Sequence, residues 1–103
     1  MRHFYRTHLT PGETMDAADV FFAALSLRAT TTAHRSRTWR GVVGAPELTV
    51  TVRLTAKPEG GHYTFVEVVT DQMGESRVDR NVKRFFVELH RRADPAHALE
   101  AVY

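Results

Sequence analysis

Glu47-Leu48-Thr49-Val50-Thr51-Val52-Arg53-Leu54-Thr55 is the stretch that decides the fold. Leu48, Val50, Val52 and Leu54 alternate with Thr49, Thr51, Arg53 and Thr55. A period of two over this length predicts a half-buried antiparallel strand with one apolar face. A second alternating run, Tyr63 to Asp71, follows the breaker cluster Lys57-Pro58-Glu59-Gly60-Gly61. Slipping the pairing by one residue would exchange the two faces, so the turn determines which side chains remain for function. A three-residue loop Pro58-Glu59-Gly60, with Pro at the second turn position and Gly supplying the left-handed residue, pairs Lys57 with Gly61. Leu54 then faces Thr64, Val52 faces Val66 and Val50 faces Val68. In that register Thr64, Val66, Val68 and Thr70 form the core side. Tyr63, Phe65, Glu67, Val69 and Asp71 lie on the opposite side, with Phe65 directly across from Arg53. The other parity would bury Glu67, a costly placement for a carboxylate.

Working outward, a two-residue turn at Ala45-Pro46 or Pro46-Glu47 puts Trp39, Gly41 and Val43 on the core side and Arg40 outside. His34-Arg35-Ser36 separates this strand from an earlier one, which makes four strands between Leu27 and Gln72. At the N-terminal end, Arg2–Leu9 reads as a strand. If Tyr5 and Leu9 point inward, Phe4 and Arg6 reach the same open face near Glu67. Thr10-Pro11-Gly12-Glu13 has the spacing of a capping box, with Pro at the first helical position. The helix it starts runs to about Ser26, with Met15, Ala18, Phe22 and Leu25 on one stripe and Phe21 widening it. A second helix spans about Glu75 to Arg92, where Val78, Val82, Phe85 and Leu89 make the apolar stripe and Asp79–Lys83 and Glu88–Arg92 are i,i+4 pairs. Asp94-Pro95 then restarts a short tail over residues 93–103.

These elements predict a single α+β domain over residues 1–103. A curved antiparallel five-stranded sheet carries two helices on one face, in the order β-α-β-β-β-β-α. Over residues 2–92 this order resembles the helix-grip arrangement, and also one repeat of the TATA-box-binding-protein fold. The resemblance implies a sheet whose uncovered face engages a partner or ligand; it carries no motif that assigns a site.

Composition narrows the function classes. The chain has 103 residues, 43% hydrophobic and 25% charged, which suits one folded domain and not a disordered chain. It contains no cysteine, so thiolate metal sites, thiol nucleophiles and disulfides are excluded. The longest apolar run, Val20 to Leu25, is six residues, against the roughly 20 that a membrane helix needs. No apolar signal segment follows the basic residues at the start, so a cytoplasmic location is expected. Fourteen basic residues against twelve acidic give a net charge of +2. Most of the bases are arginine, a usage that suggests a GC-rich bacterial genome. No Lys/Arg run exceeds two, which disfavours nucleic acid as a partner.

The candidate binding residues are those on the open face: Phe4, Arg6, Arg40, Arg53, Tyr63, Phe65 and Glu67. Three aromatics and a valine on one exposed face exceed what scattered surface apolars amount to. The expected role is therefore a non-enzymatic interaction domain forming a homodimer or a contact with a protein partner. Stacking aromatics with arginine also suit single-stranded nucleic acid, although Glu67 and Asp71 would repel its backbone. An apolar small ligand between sheet and helices is a further alternative. For a small enzyme, Glu67 would be the general base, with His62 or Arg53 beside it. No cofactor is called for. His3 and His8 face opposite sides of one strand, and His90 and His97 are split by a helix end, so neither pair has metal-ligand geometry. The arginines Arg77, Arg80 and Arg84 on the second helix could touch phosphate, but interleaved acids argue for ordinary solubility.

Overall fold

The computed structural model describes residues 1–33, 35–43, 48–72 and 76–93. The expected Gly44-Ala45-Pro46 turn, the start of the second helix at Glu75 and the tail after Ala93 lie outside the described residues. The elements are β1 (Arg2–Thr7), α1 (Pro11–Ala24), β2 (Arg28–Ala33), β3 (Ser36–Val43), β4 (Leu48–Glu59), β5 (Tyr63–Thr70) and α2 (Arg77–Ala93). The strands form one open antiparallel sheet in the order β1-β5-β4-β3-β2. The class is α+β, and the element order is the expected one.

Each helix begins where its sequence provides a cap. Thr10 Oγ1 accepts from the Glu13 N–H at 3.1 Å, and a Glu13 carboxylate oxygen accepts from the Thr10 N–H at 2.9 Å. This satisfies two donors that the first turn of α1 would leave unpaired. Ser76 Oγ likewise accepts from the Asp79 N–H at 3.1 Å at the head of α2. The apolar stripes then meet on one side of the sheet. Phe22 stacks near Trp39 at 4.6 Å between ring centroids and near Phe85 at 5.3 Å. Val50, Val52, Leu54, Val66, Val68, Val78, Val82 and Leu89 are among the other members of the buried cluster. Strand parity puts position 41 on this side, and glycine suits it because a Cβ there would come within 2.7 Å of the Leu27 side chain and 3.1 Å of the Ser26 carbonyl.

Pairing of β3 with β4 runs Trp39 to Val52 and Gly41 to Val50, the register a turn at Ala45-Pro46 implies. Pairing of β4 with β5 corrects the expected hairpin. Leu54 faces Val68, Val52 faces Thr70 and Lys57 faces Phe65, so Arg53 lies across from Val69 and not from Phe65. The strand continues through Pro58 to Glu59, and the reversal uses Gly60 and Gly61, at φ 63° and 75°. Only glycine adopts two successive left-handed residues without strain. Pro58 is tolerated because β3 has already ended on that flank. The Ala56 N–H donates to the Arg35 carbonyl at 3.0 Å, and the Pro58 nitrogen, two residues on, points to the same side past the start of the β3 ladder at Ser36. The displacement is four residues, an even number, so every side chain stays on its expected face. Thr64, Val66, Val68 and Thr70 are all buried.

Candidate functional site

Both helices pack on one face and leave the other open. Along β1 and β5 that open face carries a continuous ladder. Phe4 and Phe65 stack with centroids 5.5 Å apart and planes 26° off parallel. The guanidinium carbon of Arg6 lies 5.5 Å from the Phe65 centroid, within cation–π range. Arg6 Nε also donates to Glu59 Oε1 at 2.9 Å. On one side of the stack His8 and Tyr63 tilt together at 4.8 Å, and on the other Arg2 Nε lies 3.9 Å from Glu67 Oε1. Phe4 is 53% exposed and Tyr63 44%, so half of each ring remains in water.

The candidate residues therefore fall into two groups. Phe4, Arg6, Tyr63, Phe65 and Glu67 share the β1–β5 half. Arg40 and Arg53 lie on β3 and β4, with Arg40 across from Thr51 and Arg53 between Thr38 and Val69. An open recess of about 280 Å³ beside Arg53 is lined by Thr38, Thr51, Val69 and Asp71. Asp71 Oδ1 accepts the Thr51 N–H at 3.0 Å. Burial raises the Asp71 carboxyl, but that bond and one from Gln72 outweigh it and hold its pKa below the usual value. Glu67 is matched to Arg2 at 3.9 Å, and among the described residues it makes no hydrogen bond or ion pair with His62 or Arg53. Three further residues, Arg2, His8 and Glu59, belong to the open-face ladder. Strand parity alone would have added Arg2 and His8, whereas Glu59 needed the longer β4.

One polar cluster was not anticipated. His3 and Asp79 are 8% and 1% exposed, with His3 Nε2 2.8 Å from Asp79 Oδ1. Thr70 Oγ1 donates to the same oxygen at 2.8 Å, and Ser76 Oγ donates to Oδ2 at 2.5 Å. Burial pushes the Asp79 carboxyl up, but hydrogen bonds from His3, Ser76 and Thr70, with the attraction of His3, outweigh it and lower its pKa. An ionised carboxylate only accepts, so His3 Nε2 carries the proton. Both hydroxyls donate to Asp79 and neither to the imidazole, so the group lacks the nucleophile-to-base bond of a catalytic triad. It ties β1 and β5 to the head of α2. The expected Asp79–Lys83 pairing is corrected accordingly, since both Asp79 oxygens are engaged inside the fold. The signals available were the Ser76-x-x-Asp79 capping spacing and the inward parity of His3 with Tyr5 and Thr7.

Against this geometry, no protein-family model matches the chain, and a search of curated proteins finds no significant relative. Among the described residues no three His, Asp or Glu side chains are grouped to hold a metal ion. No described helix is long and apolar enough to cross a membrane.

Proposed function

We propose that this protein is a non-enzymatic interaction domain whose open sheet face docks a second copy of the chain. The observation that carries the reading is the Phe4–Phe65 stack, with Phe4 half in water and charged pairs on its flanks. Apolar rings at the centre with charged groups at the rim is the composition of a protein interface. The charges suit a self-complementary contact. Arg2 and Arg6 lie on β1, Glu67 on β5 and Glu59 on β4, so one face carries both signs, as a contact between two like surfaces requires. Five strands about 4.8 Å apart and about 25 Å long present on the order of 600 Å² in projection. Side-chain relief raises this toward the roughly 800 Å² per partner of a standard interface. Light scattering over a concentration series tests the reading. A mass that climbs from 11.7 kDa toward twice that value is expected, and a constant monomer mass throughout rejects it.

A further inference from the structure

The second surface with unspent chemistry lies at the other end of the molecule from the β4–β5 hairpin. Arg77, Arg80 and Arg84 are spaced i, i+3 and i+7 on α2, which puts them on one face over about 10 Å of helix. They border a cleft of about 560 Å³ whose remaining wall includes Leu25 after α1 and Val42 and Val43 at the end of β3. That volume is in the range of small-molecule sites. Five arginines elsewhere are paired: Arg2 with Glu67, Arg6 with Glu59, Arg37 with Asp19, and Arg91 and Arg92 with Glu88. The guanidinium groups of Arg77, Arg80 and Arg84 have no ion pair or hydrogen bond among the described residues.

The sequence pattern argued against a phosphate role here because acids are interleaved with the bases. Folding removes that objection. Asp79 turns inward to His3, Thr70 and Ser76. Glu88 accepts from Arg91 at 2.6 Å and from Arg92 at 2.9 Å, one turn beyond the cleft. Among the described residues, what remains is three cations beside a cleft with an aliphatic wall. Arg77 opens the helix, so the positive end of its dipole adds to the same potential.

We infer that this cleft binds a small organic phosphate, its phosphate or diphosphate held by Arg77, Arg80 and Arg84 and its organic part resting on Leu25, Val42 and Val43. Arginine forks match phosphate oxygens two at a time. Three positive charges are balanced by a phosphate monoester or diphosphate and over-match a single carboxylate.

Calorimetric titration of the full chain with inorganic pyrophosphate and with ADP, at low and physiological salt, tests the inference. Saturable one-to-one binding is expected, weakened about tenfold or more by Arg80→Ala and by Arg84→Ala, and unchanged by Arg91→Ala at the far end of α2. All three side chains are exposed, and circular dichroism confirms that each variant is folded. No saturable binding of either probe at low salt would overturn the inference, as would an equal loss in Arg91→Ala. Tighter binding of a single-stranded oligonucleotide with the same arginine dependence would overturn it too, replacing a small phosphate with a polyanion.

Discussion

The two faces of the sheet are built from alternate residues of the same strands, yet they solve different problems. On the covered face Val52, Leu54, Val66 and Val68 are fully buried beneath Phe22 and Phe85. On the open face Thr51, Arg53, Phe65 and Glu67 meet water, and cohesion comes from cross-strand pairs worth roughly 0.2–1 kcal/mol each. Stability therefore resides on one side, and the other is free to vary in chemistry without unfolding the domain. Every substitution should sort by face.

The largest effect belongs to the covered face. Phe85→Ala should cost about 3–5 kcal/mol, enough to unfold much of a domain this small, and chemical denaturation measures it. An unchanged midpoint would mean that the division between faces is false. Next comes Asp79→Ala, which leaves the His3 N–H and the Thr70 and Ser76 hydroxyls without their acceptor. A loss of about 3 kcal/mol is expected. The wild-type pH profile sharpens this. The folded Asp79 carboxyl titrates below its unfolded value, so its contribution is complete above the unfolded pKa near 4 and is lost as pH falls through the lower folded value. Acid denaturation followed in wild type and Asp79→Asn should show the wild type losing more stability over that interval.

Open-face changes should be far smaller. Phe4→Ala removes one ring of an exposed stack and should lower monomer stability by about 1 kcal/mol. Smallest in energy but decisive for register is a crosslink. Thr55→Cys with Glu67→Cys, directly opposed, should oxidise to a disulfide, whereas Arg53→Cys with Phe65→Cys should not. Mass spectrometry after mild oxidation reads both.

How far the sequence could be read follows from the same contrast. Parity was legible because Val50, Val52 and Leu54 alternate with threonine and arginine, and burial enforces that alternation whatever the turn. Register along the hairpin was not. Pro58 reads as a turn residue in isolation, and only the end of β3 at Ser36 frees the flank that lets β4 carry it. The α2 stripe of Val78, Val82, Phe85 and Leu89 was visible from its period. Asp79, one position round the helix, was not separable from a surface acid, because its partners His3 and Thr70 come from the opposite end of the chain and from β5. Phe4, Arg6 and Phe65 were placed on one face by parity. With the first strand expected beside the last, only the shifted hairpin, which sets Arg53 across from Val69 instead of Phe65, was missing from the grouping.

The claim that most needs testing is that the open face is an interface and the covered face is not. Light scattering and circular dichroism of Phe65→Asp beside the wild type, over one concentration series, address it directly. A carboxylate set against an apolar interface loses hydration without gaining a partner, while the helix-covered core is untouched. The expected result is a folded protein of monomer mass; a folded protein that still dimerises would contradict the account.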